Sequence, residues 1–166
     1  MVTIKLLEIE INEKIYKRLF IIGVLFAMCF ILLTMIYLAL PRVYKMKDNT
    51  ILDTEGVVKN GINSVHRGAK RLDIIGWAYK QGQDVKCFKN YFVLENKETG
   101  KKYLLNTAMQ EIPELERVEE QYDCSNGGMH AQSIVLGIDD GSYELYVLYQ
   151  SDDENILSDT GIVIEI

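Results

Sequence analysis

Cys124 and His130, six residues apart across Gly127-Gly128, offer this 166-residue chain its most direct prospect of chemistry. A cysteine attacks as its thiolate. It therefore needs a neighbouring base, a third group to orient that base, and donors for the developing oxyanion. No nucleophile motif surrounds the pair, and two successive glycines suit a loop better than a fixed catalytic geometry. The chain is expected not to be an enzyme. His66 and His130 are its only histidines, and neither stands at zinc-ligand spacing. Asp139-Asp140 and Asp152-Asp153-Glu154 could lend oxygens to calcium, which takes about six to eight. Without an EF-hand loop they read as solvated turns, so no metal and no cofactor is expected. Carboxylate pairs of the glycosidase kind arise by chance in any acidic domain and decide nothing.

Cys87 and Cys124 are the cysteines outside the apolar N-terminal run, where Cys29 lies as a small packing residue. In an oxidising compartment they can pair and close a loop of about 38 residues. Such a bond stabilises by roughly 3–4 kcal/mol, chiefly by restricting the unfolded chain. The alternative is two separate thiols. Residues 42–166 carry 14 Lys and Arg against 21 Asp and Glu, a net of −7. That balance repels phosphates, so nucleic acid is not an expected partner. Ten tyrosines and one tryptophan remain. Trp77, Tyr79, Tyr146 and Tyr149 are the candidate binding residues, because rigid aromatic area with a polar rim suits sugars and protein partners. Ordinary half-buried tyrosine is the competing reading.

The elements that position these residues fall into two kinds. From Leu19 to Leu40 no residue is charged. A helix of that length spans roughly 33 Å, enough for a hydrocarbon core of about 30 Å. A cleaved signal peptide would have a shorter apolar core and a small-x-small site, whereas this run leads into Leu38-Ala39-Leu40-Pro41. The division expected is a cytoplasmic amphipathic segment over 1–18, a transmembrane helix over 19–40, a stalk over 41–65 that contributes a first short strand near Ile62–Val65, and a β domain over 66–166. Lys14, Lys17 and Arg18 nearly balance Arg42, Lys45 and Lys47 across the span. Orientation then rests on size: a short tail stays in the cytoplasm and the large C-terminal domain is carried out, making a single-pass protein of the cell membrane.

Beyond the stalk come short runs rich in Ile, Val, Tyr, Phe and Leu: 71–80, 87–95, 102–107, 130–136, 143–150 and 162–166. Turn chemistry separates them, notably Asn96-Lys97-Glu98-Thr99-Gly100. Pro113 and five glutamates leave little apolar face on residues 108–122, which read as an irregular crossover. Six or seven short strands without a long helix describe an all-β, antiparallel sandwich. Asp139-Asp140-Gly141-Ser142-Tyr143 matches the D-x-G-x-Y pattern of the tyrosine corner in immunoglobulin-like domains. Asp139, Gly141 and Tyr143 would fix that turn. Leu145 stands where antibody domains place their second cysteine, and Trp77 reads as a core tryptophan.

Residues 70–166 resemble the membrane-anchored immunoglobulin-like sandwiches of bacterial, mostly Gram-positive, cell-surface proteins that accompany surface-polysaccharide machinery. The resemblance rests on Ile75-Gly76-Trp77-Ala78, Tyr91-Phe92-Val93-Leu94, Tyr122-Asp123-Cys124-Ser125, Asp140 to Tyr146, and Asp159 to Ile166. Asn126-Gly127-Gly128-Met129 departs from the pattern of those domains. The resemblance implies an immunoglobulin-like sandwich of about seven strands and involvement with glycan. The function expected is a non-catalytic, membrane-tethered binding or positioning module, whose partners are the lipid bilayer and a glycan or membrane protein. The alternative is an accessory subunit of a membrane complex, docking through its helix at the small-xxx-small pair Gly23 and Ala27.

Overall fold

The computed structural model describes residues 13–82, 88–112, 115, 122–151 and 154–166. Most of the N-terminal segment, Cys87, and Asp152-Asp153 lie outside them. Helix α1 runs from Glu13 to Ala39. Its interior is Leu, Ile, Phe, Met and Ala with one glycine and no proline, so nothing interrupts the i to i−4 ladder. Thr34 Oγ1 donates to the Phe30 carbonyl at 2.8 Å, which satisfies that hydroxyl within the helix. Pro41, lacking an N–H, follows the last turn. The stretch Tyr16–Ala39 is long and apolar enough to cross a bilayer, and none of it is buried by protein. Phe26 is 74 % exposed.

Ala39–Ile166 forms a second compact unit, mostly β. Its strands are β1 (Arg42–Tyr44), β2 (Thr50–Leu52), β3 (Val58–Arg67), β4 (Arg71–Lys80) and β5 (Phe88–Asn96). The chain continues through β6 (Lys102–Leu104), β7 (Thr107–Gln110), β8 (Gly128–Ile134), β9 (Ser142–Ser151) and β10 (Asn155–Glu165). Ten strands thus stand among the described residues where about seven were expected. They make a six-stranded sheet, β1-β6-β5-β9-β10-β2, and a four-stranded sheet, β3-β4-β8-β7.

Residues 41–65 are not the expected stalk, because β1, β2 and most of β3 lie within them. Only Leu40 and Pro41 separate α1 from β1. β1 and β2 occupy opposite edges of the six-stranded sheet, so residues 45–49 must cross one of its faces. Tyr44 packs with Val93, Leu148 and Leu157 on the face turned away from the other sheet, and its Oη lies 3.4 Å from Thr50 Oγ1. The crossing segment is therefore a strap over that outer face. Twist accumulating at roughly 20–25° per strand pair lets so short a connection join diagonal corners.

Alternation builds the main core. Leu72, Ile74 and Ala78 of β4 face Phe92 and Leu94 of β5 and Tyr143, Leu145, Val147 and Tyr149 of β9. The β5–β6 hairpin turns on Asn96, whose Oδ1 accepts from the Glu98 and Thr99 amides at 3.0 and 2.9 Å. Gly100 closes the turn at φ 66°, a conformation that a Cβ would strain. The run 102–107, expected as one strand, divides after Leu104. β6 stays with β5, and β7 joins β8 in the other sheet.

Candidate functional site

Because β4 alternates, its second set of side chains points out of the sandwich: Asp73, Ile75, Trp77 and Tyr79. Two neighbourhoods form along this strip. At one end Trp77 and Tyr79 stack, their ring centroids 5.8 Å apart and the planes 20° from parallel. Tyr79, Leu115 and Cys124 are buried together there, with Trp77, Ile112 and Tyr122 packed around them and partly exposed. The segment from β7 to β8 supplies this cover. It is tied down by the Ile112 amide on the Ser125 carbonyl at 2.7 Å and by Asp123 Oδ1, which accepts from Ser125 N and Oγ. Trp77 also needs Gly61, its partner on β3, since a Cβ there would come within 2.6 Å of the indole.

Four residues back along β4, about 13 Å away at 3.3 Å per residue, stands Asp73. Gln132 Nε2 donates to its Oδ2 at 2.8 Å, and His130 Nε2 lies 3.2 Å from its Oδ1. The Gln132 hydrogen bond is the main reason that the carboxyl is held below its ordinary range. Slight burial works against this, and His130 and His66 add to it. Register explains the gathering: His66 pairs with Asp73 across β3–β4, Asp73 with Gln132 across β4–β8, and His130 is two residues from Gln132 on the same face. Both histidines of the chain thus sit on one face with a fixed carboxylate between them. Sequence spacing hid this cluster, because His66 and His130 are 64 positions apart and meet only through two strand pairings. Among the described residues no three His, Cys, Asp or Glu side chains converge as a metal-holding group.

The four aromatic candidates are not one surface. Trp77 and Tyr79 share the face just described, with Tyr79 4 % exposed beneath its cover. Trp77 is on the outside of the four-stranded sheet rather than in the inter-sheet core, because its even-numbered neighbours take the core positions. Tyr146 is on the outer face of the six-stranded sheet, its Oη 2.9 Å from Glu144 Oε2, and burial with that carboxylate pushes its phenol up. Tyr149 faces inward between the sheets, and burial raises its phenol as well.

At the opposite end of the sandwich Tyr143 Oη donates to the Asp139 carbonyl at 2.6 Å, and the Gly141 and Ile166 amides and carbonyls bond reciprocally at 2.8 and 2.9 Å. The Asp139 carboxylate, considered for calcium, lies 3.3 Å from both Lys101 Nζ and Tyr103 Oη. Cys124 is enclosed in the Tyr79–Leu115 cluster while His130 is engaged with Asp73, so the two are not presented as a nucleophile and its base. The disulfide expectation involves Cys87, which lies outside the described residues. A separate cleft of about 280 Å³ lies beside β2, lined by Ile51, Leu52 and Ile156, with Lys80 and Glu154 paired to each other at its wall.

No family model, curated protein or solved structure matches the chain.

Proposed function

We propose that the chain is a non-catalytic binding module, an immunoglobulin-like sandwich tethered by α1 in a bacterial cell membrane, facing outward and holding a surface saccharide. Strand order supports the immunoglobulin-like reading. β3-β4-β8-β7 follows the A-B-E-D order of that fold, and β6-β5-β9-β10 follows C′-C-F-G. The Tyr143–Asp139 bond at the start of β9, the penultimate strand, fits the tyrosine corner. α1, with its apolar side chains uncovered by protein, supports the tether.

One observation carries the saccharide reading: the open strip of β4 sets a stacked indole beside a hydrogen-bonding carboxylate that its neighbours hold still. Sugar rings present C–H faces that pack on aromatic planes and hydroxyls that donate to carboxylates. Asp73 keeps lone pairs for hydroxyls after accepting from Gln132, because each carboxylate oxygen has two. Trp77 and Asp73, about 13 Å apart, would be bridged by a saccharide of two or three units.

The test is titration of the full chain, reconstituted in nanodiscs, with cell-wall polysaccharide fragments, followed by fluorescence of Trp77, the single tryptophan. Saturable change that disappears in Asp73→Asn supports the reading. No change with any fragment sinks it. Sidedness is checked separately by placing a cysteine in the exposed β5–β6 turn, Glu98→Cys. Labelling by an impermeant thiol reagent only after lysis would put the domain in the cytoplasm and remove the saccharide.

A further inference from the structure

The charge of the sandwich reverses at two places, the β3–β4 turn Arg67-Gly68-Ala69-Lys70-Arg71 and the segment between α1 and β2. Residues 48–166 carry 11 Lys and Arg against 21 Asp and Glu, whereas Arg42-Val43-Tyr44-Lys45-Met46-Lys47 carries three cations and no acid. Within this strip the side chains sort by direction. Tyr44 packs down on the outer face of the six-stranded sheet, while Arg42, Val43, Lys45, Met46 and Lys47 are exposed, Val43 by 59 % and Met46 by 42 %. Two other lysines are already paired, Lys102 of β6 with Glu95 at 2.6 Å and Lys97 of the β5–β6 turn with Glu144 at 3.2 Å. Lys45 and Lys47 have no such ion pair among the described residues.

Exposed cations interleaved with exposed Met and Val are suited to a lipid interface. The ammonium groups meet phosphates while the aliphatic groups enter the acyl boundary. The tether enforces proximity: two residues from the end of α1, the strip starts within roughly 10 Å of the helix exit. We infer that residues 42–47 dock on anionic phospholipid headgroups. This docking stands whether or not the β4 strip holds a saccharide.

The experiment uses the full chain carrying Met46→Trp and Trp77→Phe, reconstituted in vesicles with brominated acyl chains. One set is phosphatidylcholine alone and the other includes phosphatidylglycerol as one lipid in three. Quenching of the introduced tryptophan should be stronger with phosphatidylglycerol and should weaken as salt shortens the Debye length. Adding Lys45→Gln and Lys47→Gln should lower the docked-to-undocked ratio by about fivefold per lysine, so roughly 25-fold together. Lys59→Glu, at an exposed position outside the strip, should leave quenching unchanged. Weak quenching in both lipids would overturn the inference and leave the strip to an acidic protein partner. Quenching indifferent to headgroup charge and to the strap lysines would overturn it equally.

Discussion

Tyr143→Phe removes one hydroxyl at the corner where β9 begins. The ring of Tyr143 is fully buried, so phenylalanine keeps the packing and opens no cavity. What goes is the bond from Oη to the Asp139 carbonyl at 2.6 Å, together with the hydrogen bond between Oη and the Asn96 side chain. Two neutral hydrogen bonds at about 1 kcal/mol each put the cost near 2 kcal/mol. With a urea slope of about 2 kcal/mol per M, the midpoint falls by roughly 1 M. The assay is urea unfolding of the full chain in mild detergent, read by Trp77 fluorescence. Asp139→Ala serves as the contrast. It keeps the backbone acceptor and loses the exposed contact to Lys101 and the long, part-buried one to Tyr103, so it should shift stability by less than about 1 kcal/mol. Equal shifts in both variants, or none in Tyr143→Phe, would refute the reasoning. Alkali gives a second reading. Burial raises the Tyr143 phenol, so its contribution is full below the unfolded value near pH 10 and is lost as pH climbs through the folded one. The phenylalanine variant should lose less stability there, with Tyr146 and Tyr149 retaining the rest of the effect.

Asp53 gives the acid-side counterpart. Burial alone would raise its carboxyl, but the Val58 and Val57 amides, each 2.9 Å from a carboxylate oxygen, outweigh burial and hold it low. Its stabilisation is present above about pH 4 and lost as pH falls, so Asp53→Asn should cost about 1–2 kcal/mol at pH 7 and flatten the acid limb of a stability–pH curve. Gly61→Val should destabilise by about 1–3 kcal/mol and shift Trp77 emission to the red, since the new Cβ displaces the indole; unchanged emission would show that the ring does not lie over β3. Full-length protein should stay with membranes through alkaline carbonate extraction, and a chain beginning at Arg42 should not. Gln132→Ala should weaken saccharide binding less than Asp73→Asn does, because it removes a positioning donor and leaves the acceptor.

Alternation from Tyr143 to Tyr149 made β9 legible in the sequence, and β4 showed as an apolar run between turn residues. Both break the alternation where their second face is also buried, at Tyr79 and at Leu148. Leu19 to Leu40 was legible for a different reason: absence of charge on every face of a helix has few explanations. β10 was read only from Ile162 onward. Its first half, Asn155 to Ser158, carries polar residues that are nonetheless buried, Asn155 by bonds to Gln150 and Asn49 and Ser158 by bonds to Asn60 and Val58. The bulge between Asp159 and Ile162 then shifts the pattern's phase. β1 and β2 were lost in the expected stalk because three-residue edge strands leave no period to detect, and Ile51 and Leu52 remain exposed. The site was half legible. Trp77 stood out by type, but the side of the sheet it occupies depends on register, and Asp73 with His66 and His130 has no local signature.

The two outer faces of the sandwich have opposite fates for a reason that starts in the strap. A sheet normally turns one face to the core and one to water, yet Val93, Leu148 and Leu157 are buried on the outer side of the six-stranded sheet. Tyr44 and the chain crossing from β1 to β2 supply that cover, and the same crossing carries the unpaired lysines that suit a charged lipid surface. On the four-stranded sheet Ile112, Leu115, Tyr122 and Cys124, from between β7 and β8, cover Tyr79. Trp77 is left at the margin, and Asp73, His66 and His130 lie beyond it. A margin where apolar cover gives way to a fixed carboxylate presents both an aromatic plane and an acceptor to one ligand. Cutting back Leu115 and Ile112 would expose Tyr79 as a sticky patch. Ile112, Leu115, Tyr122 and Cys124 therefore mark where cover ends and the strip at Trp77 begins, which makes these side chains the ones to change when altering what the strip can hold.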